Sequence, residues 1–168
     1  LEQNLEQMKE AVFVTRDGFQ AVGLRWDGTF AGAAAGEIRT LHSELKRRLH
    51  EIPGVRQPGE LLALSYHVKE NSDGFTHYAV VEVTGEAEAV IPEGMVSVTV
   101  PTMTYAKCEH RKGQSIEQSY RSLYTWIHEQ GYKECLEDLT HFEICAMEHD
   151  SFDSDPEFTI MIPVERES

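Results

Sequence analysis

The stretch Thr140–Asp150, THFEICAMEHD, sets one carboxylate, Glu143, between Phe142 and Ile144 in what otherwise reads as a buried strand. With the two-residue period of an extended chain, Phe142, Ile144 and Ala146 share one face and Glu143, Cys145 and Met147 share the other. The first face is expected to pack on helices, which leaves the second as a semi-apolar surface carrying an acid. A buried ionised carboxylate is costly unless paired or hydrogen-bonded, and burial raises its affinity for a proton. Such a group suits a general acid or base, or the counter-charge of a cationic apolar ligand. The plainer alternative is an acid on a solvent-facing rim, since 29 acidic residues need places.

The strand HYAVVEV, residues 77–83, alternates in the same way. Tyr78, Val80 and Glu82 lie on one face, and His77, Ala79, Val81 and Val83 on the other. If the Tyr78 face turns to the same space as Glu143, a cleft gains two carboxylates and a phenol, a set suited to an aromatic cation or to acid–base chemistry. Otherwise Tyr78 and Glu82 decorate an outer face.

Working outward, AVFV (11–14) and QAVGLRW (20–26) flank the turn TRDGF, and the second leads toward a helix. In the following stretch Ile38, Leu41, Leu45 and Leu49 recur three or four apart until Pro53 and Gly54 stop them, which predicts a one-sided helix. LLALSYHV (61–68) and FTHYAVVEV (75–83) read as adjacent antiparallel strands around KENSDG. MVSVTV and TYAKCEH follow as strands, SIEQSYRSLYTWIHEQG as a helix, then FEICAME and EFTIMIPVE as strands around HDSFDSDP. The order β-α-β-β thus occurs twice. Leu64 and Tyr78 are separated by the same number of residues as Ile144 and Phe158, so internal repeats over about 11–90 and 94–165 are expected within one domain.

The 168 residues allow a core covering both sides of a sheet. With 15 basic against 29 acidic residues the formal charge is -14, which repels nucleic-acid phosphates and anionic lipids, so direct nucleic-acid binding by this domain and membrane binding are not expected. Three cysteines at wide spacings fit a reduced, cytoplasmic protein, and no apolar run reaches the roughly 18 residues of a membrane span. The chain starts at Leu1 and not at Met, so a DNA-binding domain or protein partner outside these residues is compatible with the sequence.

Other candidates are weaker. Cys108 with His110, and His141 with Cys145, lack the pairings of a zinc site, so no metal is expected, and FAGAAAGE lacks the Lys-Ser/Thr of a phosphate loop, so no cofactor is expected either. Ile116, Tyr120, Leu123 and Ile127 follow a helical period and read as core. Trp126 lies on the flank of that stripe and is a candidate to close a groove; Trp26, before Asp27 and Gly28 at a strand end, is a candidate to line one.

AVGLRWDG, THYAVVEV with IPEGM, TYAKCEHRKG, SIEQSYRSLYTWIHEQGY, and FEICAME with DPEFTIMIPVE together resemble the GyrI-like small-molecule-binding superfamily, over about Phe13 to Val164. That superfamily includes the effector-binding domains of AraC-type and MerR-type multidrug-sensing regulators and the SbmC gyrase-inhibitory proteins. The resemblance implies two units around a pseudo-twofold with an apolar pocket between them, and a pocket-floor glutamate, matched here by Glu143, that meets lipophilic cations. Tyr105 and Tyr78 stand where the family has pocket or strand aromatics. Where the family usually has Glu-Ile-Tyr, this chain has Glu143-Ile144-Cys145, which removes a ring and a hydroxyl. Some members hydrolyse small electrophilic xenobiotics with pocket glutamates.

The expectation is therefore an α+β fold of duplicated β-α-β-β units forming one antiparallel sheet, with helices on one face and a ligand groove on the other. The groove is expected to bind a hydrophobic, cationic or aromatic small molecule, with Glu143, Tyr78, Glu82, Tyr105, Cys145, Met147, Trp26 and Trp126 as candidate contacts. A hydrolase using Glu143, Glu82 and Tyr78, and a gyrase-inhibitor-like protein-interaction module, are the alternatives.

Overall fold

The computed structural model describes residues 10–69, 72–85 and 90–167. The first nine residues, two positions of the KENSDG turn and the end of the first expected repeat, 86–89, lie outside the described residues. The elements are β1 (Val12–Arg16), β2 (Phe19–Thr29), α1 (Phe30–Ala34), α2 (Glu37–Arg48, continued by a 3-10 turn Leu49–Glu51), β3 (Glu60–Tyr66) and β4 (Gly74–Val83). They continue with β5 (Val96–Val100), β6 (Met103–His110), α3 (Ile116–Glu129), β7 (Tyr132–Glu134), β8 (Leu139–Ala146) and β9 (Phe158–Arg166).

Each boundary has a local cause. Thr29 caps α1 by accepting from the Gly32 amide, and Ser115 caps α3 by accepting from the Gln118 amide. Gly36, at φ 101°, makes the left-handed step that separates α1 from α2 and that a residue with a Cβ adopts only at a cost. The small-residue segment FAGAAAG is thereby a helical turn in its own right. β7 was not anticipated, because three residues, Tyr-Lys-Glu, carry no periodicity.

All strands pair antiparallel in the order β1-β6-β9-β8-β3-β4-β2-β5, with β7 adding to the far end of β9. β3 and β8 form the central seam, and outward from it β3-β4-β2 mirrors β8-β9-β6. The outermost strands are exchanged: β1 precedes β2 in the chain but pairs with β6, and β5 precedes β6 but pairs with β2. The two connectors cross closely, the Gly18 amide donating to Thr102 Oγ1 at 2.8 Å. A Cβ at Gly18 would lie 3.1 Å from the Val100 carbonyl oxygen, so the crossing favours glycine there. The hairpins differ by one residue in register: Leu64 pairs with Tyr78, but Ile144 pairs with Thr159 and not with Phe158.

α2 and α3 lie on the same face of the sheet. Under α2, Leu45 packs on Val22, Leu61, Ala63, Ala79 and Val81; under α3, Leu123 and Ile127 pack on Ala106, Cys108, Ile160 and Ile162. Leu45 is fully buried, so truncation to Ala costs about 2–5 kcal/mol. Among the described residues the opposite face carries no helix, yet it buries Leu62, Leu64, Val80, Tyr105, Phe142 and Met161. It does so by curling. Arg16 of β1 and Glu82 of β4 are five strands apart in the order, roughly 24 Å on a flat sheet at the usual strand spacing, but their side chains meet at 2.8 Å. Phe19 and Phe142, three strands apart, have ring centroids at 6.0 Å, with the Arg16 guanidinium 4.5 Å from the Phe19 centroid.

One antiparallel sheet with helices on one face agrees with the sequence reading, but the assignment of faces is reversed. Phe142 and Ile144 turn away from the helices into the curled core, while Glu143 and Cys145 turn toward them. The cleft that holds Glu143 therefore opens on the helix-bearing face, between α2 and α3. Curling already fills the other face with large rings, so the acid is placed where the two helices leave a gap.

Candidate functional site

β8 supplies the floor of this cleft with Glu143 and Cys145. α2 supplies one wall through Ile38, Arg39, His42 and Lys46, and the segment from His149 to Phe158 closes the other side with Ile116 at the start of α3. The cleft measures about 200 Å³, and at Cys145, Glu157 and Phe158 it joins a shallower hollow of about 440 Å³. That junction lies where β8 and β9 diverge beyond the Ile144–Thr159 pair. The closing segment is seated from both sides. Lys46 donates to the His149 carbonyl, the Gly113 amide donates to Asp155 Oδ1 at 3.0 Å, and Lys112 Nζ approaches Asp153 at 3.4 Å.

α3 presents two phenols one turn apart to the floor. Tyr120 donates its hydroxyl proton to Glu143 Oε2, and Tyr124 Oη lies 2.7 Å from His141 Nε2. Burial raises the Glu143 carboxyl above the usual carboxylate range, and the Tyr120 hydrogen bond opposes that shift in part. The Tyr120 hydroxyl is raised well above the ordinary phenol range by burial and by the Glu143 charge, so it stays a donor. Burial, with Glu143 adding to it, pushes the Cys145 thiol up to about 12, which makes it a wall and not a thiolate.

Behind α2, His42 Nε2 meets His77 Nε2 at 3.0 Å, and His77 Nδ1 meets Ser65 Oγ at 2.8 Å. Burial lowers His42 to about 4, with Lys46 adding to it, and lowers His77 to about 3, with His42 adding to it. Both are neutral near pH 7, as an imidazole pair sharing one proton requires. Burial also lowers Lys46.

Of the eight residues singled out in the sequence, Glu143 and Cys145 line the cleft. Met147 follows β8 and packs half-buried against the α2 core instead. Tyr78, Glu82 and Tyr105 belong to the opposite face, because β4 shows His77, Ala79 and Val81 to the helix side. There Tyr78 packs edge-on against Tyr66 at 5.4 Å, Glu82 pairs with Arg16 at 2.8 Å, and Tyr105 is fully buried beside Phe142. Glu82 and Tyr78 thus cannot act with Glu143 on one molecule. Trp26 donates to Glu37 Oε1 at 3.1 Å at the start of α2, and Trp126 packs on Phe13 at 4.6 Å; neither lines the cleft. Among the described residues no group of three or more His, Cys, Asp or Glu is placed to hold a metal ion, and no helix is long and apolar enough to cross a membrane.

The sequence reading missed Tyr120, His42 and Lys46. Tyr120 sits in the apolar stripe of α3, and the one available hint was that two of the residues facing inward, Tyr120 and Tyr124, carry hydroxyls that need partners when buried. His42 and Lys46 flank Leu45 on α2, and nothing in their spacing distinguishes a cleft wall from a solvated helix face.

The fold is shared with solved structures of low sequence identity. SAV2435 bound to tetraphenylphosphonium is 14% identical, with 93% of this chain and 94% of that chain covered and a TM-score of 0.64. EcmrR, in a complex with DNA, is 16% identical, with 98% of this chain and 63% of that chain covered and a TM-score of 0.64. A hydrolase from Listeria innocua is 10% identical, with 93% and 92% covered and a TM-score of 0.56. No curated protein matches the sequence significantly. The model of the GyrI-like small molecule binding domain matches residues 9–165, nearly the whole chain, and the protein belongs to that family.

Proposed function

We propose that the cleft between α2 and α3 binds a small apolar or aromatic molecule bearing a basic group, which Glu143 receives. The observation that carries this reading is the position of Glu143. It lies on an enclosed floor with one carboxylate oxygen held by Tyr120, and among the described residues its other oxygen has no hydrogen-bond partner. A basic group entering the cleft could donate to that second oxygen and form a charge-assisted pair away from bulk water. The tetraphenylphosphonium carried by SAV2435 supports the cationic class. Its four rings exceed this cleft, however: an engineered cavity of roughly 150 Å³ takes one benzene, and the space here is about 200 Å³. A one-ring amine is the fitting size while residues 149–158 stay in place.

In this reading the protein works in the cytoplasm as an effector-binding unit, and the two halves, about 11–90 and 94–165, are internal repeats that frame the cleft. The similarity to EcmrR, which extends beyond the matched region, supports a DNA-binding segment outside the given residues as the receiver of the signal.

Isothermal titration calorimetry with benzylamine tests the reading. Saturable binding that weakens at least roughly tenfold in Glu143→Gln is expected, since a charge-assisted hydrogen bond is lost; unchanged affinity in that variant refutes it.

One feature favours hydrolysis of a small electrophile as a second reading: a carboxyl of raised proton affinity beside a buried phenol. There Glu143 would take a proton from water as its oxygen bonds to the electrophilic carbon, and return it to the atom that keeps the electron pair of the broken bond. Product formation by the native protein that Glu143→Gln abolishes while binding persists would decide for this reading.

A further inference from the structure

The charges around the cleft are sorted by wall. The acids of the closing segment are engaged: Asp153 faces Lys112 and His149 at 3.4 Å each, and Glu157 accepts from the Lys112 amide at 3.4 Å. Asp150 accepts from the Phe152 amide at 2.9 Å and lies in the electrostatic neighbourhood of Lys46. On α2 the basic residues divide. Arg47 is paired with Glu44 and Arg48 with Glu51, both pairs pointing away from the cleft lining. Arg39 and Lys46, the two that line the cleft, have no carboxylate at ion-pair distance among the described residues. They stand seven residues apart, roughly 10 Å along the helix, so both face the same side with His42 between them.

In a chain of net charge -14, two cations that line an enclosed space with no carboxylate at ion-pair distance among the described residues, Lys46 having only the longer-range field of Asp150, call for an explanation. Lys46 is half-buried and its one hydrogen bond goes to a neutral acceptor, the His149 carbonyl. An ammonium has three donors, so two remain for a ligand, and a carboxylate accepts more strongly than a carbonyl. Lys46 would also repel a simple cation from the same cleft. That repulsion disfavours a purely cationic ligand and favours one that brings its own negative end.

Resting on the reading of the cleft as a small-molecule site, we propose that its ligand is bipolar: a one-ring molecule whose basic group meets Glu143 and whose acidic group meets Lys46, with Arg39 at the mouth drawing the acidic end in. Lys46 is then the residue that sets specificity between a bare amine and an amino acid-like molecule.

A matched series separates the charges on one ring: 4-(aminomethyl)benzoate carries both, benzylamine the positive one and benzoate the negative one. Calorimetric titration at pH 7 is expected to rank 4-(aminomethyl)benzoate tightest. Lys46→Gln is expected to weaken it roughly tenfold or more and to weaken benzylamine far less, since benzylamine loses only the seating of the closing segment while a repulsion is removed. Arg39→Gln is expected to produce a smaller loss for 4-(aminomethyl)benzoate, and thermal melting checks that both variants fold. If 4-(aminomethyl)benzoate binds no tighter than benzylamine, or is indifferent to Lys46→Gln, while Glu143→Gln still weakens benzylamine, the bipolar ligand is overturned and the cationic cleft stands. If none of the three binds, the reading of the cleft is overturned and the bipolar ligand with it.

Discussion

Replacing Tyr120 by Phe removes one hydroxyl from the cleft floor and leaves Glu143 half-buried with no donor among the described residues. The cost depends on the charge of the acid. While Glu143 is ionised the lost bond is charge-assisted, worth about 1.5–3 kcal/mol; once it is protonated the bond is between neutral groups, worth about 1 kcal/mol. Glu143 is raised by burial, so the folded state is penalised as pH rises through that raised value and is free of the penalty below the usual carboxylate range. Losing Tyr120, which lowers Glu143, raises the carboxyl further and widens the penalised window upward. For a chain of this size 1 kcal/mol corresponds to about 2–4 °C in Tm. Tyr120→Phe is therefore expected to melt about 3–12 °C below the native protein at pH 8, and only about 2–4 °C below it at pH 4.5. In a Glu143→Gln background the Tyr120→Phe effect should not vary with pH, and Glu143→Gln alone should gain on the native protein as pH rises. The assay is thermal denaturation followed by circular dichroism across this range. A Tyr120→Phe deficit that is the same at both pH values would refute the coupling of hydroxyl to carboxylate.

Three further outcomes follow from the opposite sides of the sheet. His77 is buried and lowered to about 3, so the unfolded chain takes up a proton below its usual value of 6.5 while the folded one does not; its contribution to stability is present above that pH and is lost on acidification. Urea denaturation should show a loss of roughly 2 kcal/mol from this residue between pH 6.5 and pH 5, flattened in His77→Gln; an identical slope in that variant would contradict the neutral histidine pair. Arg16→Met removes both the Glu82 ion pair and the contact over Phe19 and Phe142, and is expected to cost about 1–3 kcal/mol by urea denaturation while benzylamine affinity holds within twofold. Glu82→Gln should likewise leave that affinity unchanged, and an effect as large as that of Glu143→Gln would place Glu82 in the cleft after all.

The legible part of the fold was periodic. Alternation in Phe75–Val83 and Leu139–Ala146 and the three-to-four spacing of Ile38, Leu41, Leu45 and Leu49 report burial on one side of an element, which depends on neighbours in sequence. Glu143 stood out because a carboxylate interrupts what otherwise reads as an apolar, buried strand. The exchange of β1 and β5 between the halves was not legible, since strands with similar apolar patterns do not encode which edge they join. Nor was the one-residue difference in hairpin register, which equal spacing in the sequence had concealed.

The amino-acid sequence by itself determined that an acid would alternate with apolar residues along a β-strand, and which stretches would be strands and helices, because element type and side-chain alternation are properties of consecutive residues. Which face that acid occupies, that Tyr120 holds it, that Tyr78, Glu82 and Tyr105 lie behind the sheet, and that Lys46 lines the same cleft were decided by tertiary structure alone. The physical reason is the curl of the sheet: by closing one face on its own aromatic rings it left the gap between two helices as the space that the acid could reach.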